Sequence, residues 1–421
     1  MATGERGEGM STTEKRAPST TFARITAHPG ATSYYVILGT ALILLTLGLT
    51  MVLSASTITS IQDDATPFSN IKRQLGYALI AVPAGFLISR TSVARLRRVA
   101  GVVFWFTVFL STLVITPLGL GKGGNTAWIL IPVINRAIQP SEFLKVGMIL
   151  FLAHLLVTRA GSYRTRHDWL PVMAVWFGTL AVVMLGHDLG TTTVVALIAL
   201  VMVLYGKLPR PLVRVGVLFQ LAGAAFLVFQ SDSRRERVLS FITGSQQSAA
   251  LHETSAYQPR HGFWALGTGG IFGVGPGASR EKWAYLPEAH NDYIFAIIGE
   301  ELGLVGTSMV VLLFGLLAWA IFRLATTLQD FYARLLCIGV GVWVTGQALL
   351  NIYVVLGLAP VIGVPLPLIS AGGSSLIATA CAIGVVLACA RQEPGARVAL
   401  AQSTSALRRS SSVIAARWRR K

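Results

Sequence analysis

Between positions 34 and 390 the chain alternates long apolar runs with short polar connections. Runs that approach or reach membrane length fall at 34–54, 74–89, 99–116, 143–157, 170–186, 189–206, 215–229, 302–322, 335–356 and 374–390. A helix rises about 1.5 Å per residue, so about 20 apolar residues cross a hydrocarbon layer about 30 Å thick. The pattern predicts an all-α polytopic membrane protein of about ten helices. The first run is too long for the core of a cleaved signal peptide and reads as a retained span. The flanking stretches 1–33 and 392–421 are rich in small polar and basic residues and read as disordered tails. One connection stands apart. Positions 230–291, between the seventh and eighth runs, form a loop long enough to expect function in it.

Composition sharpens this picture. Hydrophobic residues make up 53% of the 421 positions and charged residues only 13%. A chain so poor in charge cannot cover itself with polar surface in water, which sets aside a soluble enzyme. The net charge of +17 has no basic stripe with interleaved aromatics in a soluble domain, so nucleic acid is excluded as a partner. Bases cluster instead in the two tails and in alternate connections, as at Arg90, Arg95, Arg97 and Arg98. That is the distribution of cytoplasmic loops, and it places both termini in the cytoplasm. The long loop breaks the rule. It carries Arg234, Arg235, Arg237, Arg260, Arg280 and Lys282 on the outer side, where an anionic ligand would meet them; a solvated loop with incidental charge is the plainer alternative. Cys337, Cys381 and Cys389 lie in apolar runs and offer neither a disulfide framework nor metal-ligand spacing.

Three polar constellations interrupt the apolar pattern. Gln139-Pro140-Ser141-Glu142-Phe143-Leu144-Lys145 opens the fourth run. Pro140 suits a first helical position, and Glu142 and Lys145, three apart, share a helix face. They form either a local ion pair at a capped start or a site at the membrane border. Glu288, His290 and Asp292 crowd the entry to the eighth helix, where Asp292 alone would serve as an N-cap. The apolar stretch 293–322 is too long for the hydrocarbon core, so its first turns are expected at the outer interface, and Glu300 and Glu301 suggest a water-lined cavity there. The third constellation, 365–375, holds two prolines, two glycines and Ser370, Ser374 and Ser375. Irregular backbone at membrane depth must be buried in protein or line a cavity. Gly372, Gly373 and Ser374 at a helix start offer free N–H groups to an anion, and a structural re-entrant turn is the alternative.

At these motifs the chain resembles the SEDS (shape, elongation, division and sporulation) family of polytopic peptidoglycan polymerases, from about 34 to 391. The resemblance rests on QPSEFLK at 139–145, GGIFGVGPGASREK at 269–282, LPEAHNDYIFAIIGEELGLVG at 286–306 and PLPLISAGGSS at 365–375, with Gln347 and Asn351 as polar positions of the ninth span. The wording at 286–306 is most similar to the cell-division branch. Ala127 before Trp128, Ala371 and Pro276 depart from the family's usual residues. The resemblance implies an inverting glycosyltransferase in the bacterial cytoplasmic membrane, at the division septum. It would join lipid II to undecaprenyl-diphosphate-linked glycan at the outer face and release undecaprenyl diphosphate. It implies Asp292 as the essential carboxylate, with Glu142 and Lys145 also required. On that basis Asp292 is expected to deprotonate the acceptor 4-hydroxyl, since one inversion needs one base. Lys145 is expected to meet the diphosphate, followed by Lys282, Arg235 and Arg237. Glu288, His290, Gln347, Asn351, Ser370, Gly372, Gly373 and Ser374 complete the expected substrate contacts. The implied partners are a class B penicillin-binding transpeptidase and other division-complex membrane proteins. No cofactor is certain; a divalent cation, Mg or Mn, stays open although no all-protein carboxylate cage is visible. A lipid II flippase, a rod-shape polymerase and a non-catalytic scaffold are the competing readings. A flippase would be expected to show inverted repeats, and none is evident.

Overall fold

The structure is a computed structural model that describes residues 29–400, except 63–65, 67, 123–124, 133–135, 160–162, 164, 244–256, 284, 394 and 397–399. All but the ends of the two expected tails lie outside the described residues. Among the described residues twelve α-helices run in the order α1 (Pro29–Gln62), α2 (Ser69–Ser89), α3 (Val93–Thr112), α4 (Pro140–Thr158), α5 (Arg166–Met184), α6 (Leu189–Tyr205), α7 (Arg210–Phe229), α8 (Asp232–Ile242), α9 (Tyr257–Gly269), α10 (Ile294–Thr327), α11 (Phe331–Val355) and α12 (Gly373–Ala390). Among the described residues nine of these are long and apolar enough to cross a membrane, and α6 is a shorter apolar helix. All ten apolar runs of the sequence are therefore helices, and the molecule is an all-α polytopic membrane protein.

Three of the helices that carry polar motifs are the most enclosed ones. α4, α11 and α12 are the most buried spans, while α7 turns most of its surface outward. α2 packs most extensively on α12. The reason is local: Gly85 and Gly384 let the two backbones touch, and a Cβ on Gly85 would sit 2.6 Å from the Ala380 carbonyl oxygen. Small residues are what close helix approach in lipid requires, because no hydrophobic driving force acts between helices there. The three cysteines are free thiols, with Cys337 and Cys389 buried in this packing.

Two features depart from the sequence expectation. Between α3 and α4 the chain forms a small antiparallel sheet of β1 (Gly119–Lys122), β2 (Asn125–Ile131) and β3 (Arg136–Ile138), in that order. Its register pairs Leu120 with Trp128 and Ile129 with Ile138, and the Thr126 amide donates to the Gly186 carbonyl at the end of α5. Second, α10 is broken. Gly303 stands at φ 67° and ψ −163° inside it, a region open only to glycine. The break frees carbonyls and amides in mid-helix, and the 269–282 segment takes them up. Val274 and Gly275 amides donate to the Glu300 and Glu301 carbonyls, and Leu304 and Val305 amides donate to Gly270 and Ile271. Gly270, Gly273, Gly275 and Gly277 all have positive φ, which explains the glycine-rich wording of that segment.

Candidate functional site

Pro140 starts α4 and directs Glu142 and Lys145 into the bundle, where each is 1% exposed. Lys145 Nζ donates to Glu142 Oε1 at 2.8 Å and to Gln347 Oε1 at 2.8 Å, and lies 4.5 Å from the centre of the Trp343 ring. The other carboxylate oxygen of Glu142 is buried and has no hydrogen-bond partner among the described residues. An ion pair this enclosed costs desolvation that only good geometry and extra hydrogen bonds offset. Gln347 supplies that support. It also accepts from Trp343 Nε1 at 2.9 Å and donates from Nε2 to the Pro365 carbonyl at 2.8 Å.

Asn351 lies one turn further along α11, on the same face as Gln347. Its Nδ2 donates to the Asp292 carbonyl at 2.7 Å and to the Val364 carbonyl at 2.8 Å. α11 thus braces the Lys145 pair with one side chain and the Asp292 backbone with the next, through neighbouring carbonyls of the 363–371 segment. The Asp292 carboxylate sits close to Gly363: a Cβ built there would be 3.5 Å from Oδ2, and φ there is +65°. Ser370 Oγ donates to the Asn291 carbonyl at 2.6 Å and accepts from the Leu366 amide, while the Ala371 amide donates to the His290 carbonyl at 2.9 Å. Ser374 Oγ accepts from the Gln139 amide at 3.2 Å, and the Gly372 amide donates to Gln74 Oε1. Gly373 is pressed against the Tyr77 ring. The three sequence motifs are therefore one hydrogen-bonded assembly at one end of the bundle.

The remaining expected residues divide. Glu288, at φ 54°, pairs with the side chain of Asn291. Arg237 lies within electrostatic reach of Tyr293, which follows Asp292. Burial pushes the Tyr293 phenol up, the Asp292 charge beside it adds to the rise, and Arg237 opposes it. Arg235 pairs with Asp232 at 2.7 Å on the exposed side of α8. Lys282 is not brought to Lys145. Its Nζ donates to Glu301 at 3.0 Å, to the Gly277 carbonyl at 2.6 Å and to Ser54 at 3.2 Å, so the three donors of its ammonium are used. Glu300 and Glu301, expected to line a wet cavity, are 0% and 1% exposed. They bind the glycine-rich segment instead: Glu300 accepts from Ser279 and the Arg280 amide, Glu301 from Ser54 and Lys282.

Sequence reasoning passed over Asp188. It caps α6, accepting from the Thr191 amide and hydroxyl at 2.9 and 2.7 Å, and takes Gln139 Nε2 at 2.9 Å. Burial pushes its carboxyl up while the Thr191 hydrogen bonds pull it down. The spacing Asp188-Leu189-Gly190-Thr191 carried a cap signal, but nothing local showed that the cap also faces Gln139. Among the described residues no three His, Cys, Asp or Glu side chains gather to hold a metal ion.

An enclosed bundle of membrane helices with a buried lysine–glutamate pair and a braced aspartate at one end defines the class. The chain matches the cell cycle protein model shared by FtsW, RodA and SpoVE over residues 34–394, and it belongs to that family. It is 39% identical to a probable peptidoglycan glycosyltransferase FtsW of Mycobacterium tuberculosis over 386 residues, covering 91% of this chain and 72% of that protein. It is 36% identical to the stage V sporulation protein E of Bacillus subtilis, covering 82% of this chain and 93% of that protein. The fold is similar to Thermus thermophilus rod shape determining protein RodA, with a TM-score of 0.62 at 26% identity over 85% of this chain and 97% of that one. It is also similar to a chain from a peptidoglycan synthase complex described as coordinating polymerization and crosslinking, with a TM-score of 0.66 at 26% identity, covering 84% and 96% of the two chains.

Proposed function

We propose that this protein is the peptidoglycan glycosyltransferase of cell division, polymerising lipid II into β-1,4 glycan strands at the outer face of the cytoplasmic membrane. The observation that carries the reading is the α11 brace, in which Gln347 holds the buried Lys145–Glu142 pair and Asn351, one helical turn further on, holds the Asp292 carbonyl. Relatives named as peptidoglycan glycosyltransferases support the activity. Asp292 takes the proton of the acceptor 4-hydroxyl as that oxygen bonds to the donor's anomeric carbon. The bond from that carbon to the diphosphate breaks, and undecaprenyl diphosphate leaves with its electron pair. Lys145 and Arg237 face the charge that develops there. Glu142 orients Lys145. Lys282 holds the glycine-rich segment rather than phosphate. Among the described residues no carboxylate cage fits Mg or Mn, and no step passes through a cation.

Likeness to a chain of a synthase complex supports a class B penicillin-binding transpeptidase as partner, with other division proteins at the septum. The broken helix α10 is the one feature that a flippase reading would claim. Its Glu300 and Glu301 carbonyls, its Leu304 and Val305 amides and its two carboxylates all bond groups of the chain itself, which disfavours that reading. Purified Asp292→Ala protein with its transpeptidase partner is expected to keep its melting temperature and to lose glycan ladders. Normal ladders from that variant would overturn the assignment. A lipid II translocation assay on the same preparation separates polymerase from flippase.

A further inference from the structure

α9 and the segment that follows the glycine-rich loop hold a group of aromatic side chains outside the membrane spans, apart from the reacting groups. His261 is its hub. Its ring centre lies 4.3 Å from Tyr257, 4.8 Å from Trp264 edge-on and 6.3 Å from Tyr285 in a near-parallel stack. His261 Nδ1 meets Glu281 Oε2 at 2.6 Å, which ties α9 to the 277–286 segment. The Arg260 guanidinium lies 4.9 Å from the centre of the Trp264 ring. Arg260 and His261 are each 6% exposed, whereas Trp264, Trp283 and Tyr285 are more than half or half open to the surroundings.

This group adjoins the site. Gly262, next to His261, packs on the Tyr293 ring, where a Cβ would be 3.0 Å from Cε1, and Phe263 packs on Gly357. Tyr293 follows Asp292 directly. One side of α9 is therefore pressed against the reacting end of the bundle, and Trp264 and Tyr285 lie beside it.

We propose that Trp264 and Tyr285, which both border His261, form a saccharide platform that seats the glycan strand as it leaves Asp292. A pyranose ring offers a flat C–H face bounded by hydroxyls. Its natural complement is a half-exposed aromatic ring backed by fixed polar groups, and here Arg260 lies against one face of the Trp264 ring while the His261–Glu281 pair backs Tyr285. Tryptophan and tyrosine also populate the membrane interface. An interfacial belt, however, needs no buried arginine and no His–Glu pair beneath its rings. The proposal rests on the polymerase reading, because it takes the strand to be that reaction's product.

The test uses the full-length protein with its transpeptidase partner. Trp264→Ala and Tyr285→Ala are expected to shift the ladder several-fold toward short strands, with a smaller fall in lipid II consumption. Trp264→Phe, which keeps a ring, is expected to restore length. Equal shortening of length and consumption, or unchanged lengths with a lowered melting temperature in lipid, would overturn the platform and leave an interfacial anchor. Soluble N-acetylglucosamine oligosaccharides give a readout independent of polymerisation. They are expected to quench tryptophan fluorescence in the parent and much less in Trp264→Ala. If the parent makes no ladder, the polymerase reading fails, and the quench alone decides the platform: its presence supports the site and its absence removes it.

Discussion

A lysine ammonium that is 1% exposed inside a helical bundle has to be neutralised where it stands. Lys145 is matched by Glu142, by Gln347 and by the face of Trp343. Removing one member of such a pair strands the other charge, at a cost of about 3–5 kcal/mol, whereas removing both is often close to neutral. Lys145→Met and Glu142→Gln are each expected to lower the melting temperature clearly, and the double variant to recover much of that loss. Polymerisation should stay absent in all three. Recovery of activity together with stability in the double variant would make the pair structural only. Part of this was legible in the chain. The three-residue spacing puts Glu142 and Lys145 on one face, and the burial cost of such a pair was enough to single it out. The importance of Asp292 came from resemblance, because an aspartate before an apolar helix is indistinguishable from a cap on physics alone. The structural contacts of Lys282 and Asp188 were hidden for one reason. Their partners, Glu301 and Ser54 for one and Gln139 for the other, lie far away in sequence, and spacing carries no information about them.

At the scale of the element, α10 shows what an over-long apolar stretch meant. Its excess length over the hydrocarbon core was visible, but the break at Gly303 was not, since an isolated glycine in a membrane helix is common. The structure ties the break to the glycine-rich segment through four backbone hydrogen bonds. A Cβ at 303 would lie 2.4 Å from the Gly273 amide nitrogen and the Ile271 carbonyl oxygen at a backbone angle that L residues avoid. Gly303→Ala is expected to cost roughly 1–3 kcal/mol from the backbone alone and to loosen the 269–282 segment. Limited proteolysis should then cut that segment faster than in the parent, and an unchanged cleavage rate would refute the coupling. The small sheet at 119–138 was equally hidden. Its strands are three to seven residues long, below the length at which alternation reads as a signal.

At the scale of the molecule, the number of spans was plain from hydropathy because a bilayer leaves helices no alternative. Their orientation rests on the positive charge of alternate connections. In a background with Cys337, Cys381 and Cys389 replaced, a membrane-impermeant maleimide on intact cells is expected to label Asp232→Cys and not Arg98→Cys. The reverse pattern would invert the topology. Which helix meets which was not legible, and here the pairing of ends has a consequence for biosynthesis. α2 rests on α12, and Ser54 of α1 bonds Glu301, 247 residues later. The first two helices to leave the ribosome touch each other, but they therefore wait in the bilayer for their most extensive partners until nearly the whole chain has been made. Closure of this bundle belongs to the last moments of synthesis, and a nascent chain stalled before α12 would be an open arc of helices rather than a smaller version of the protein.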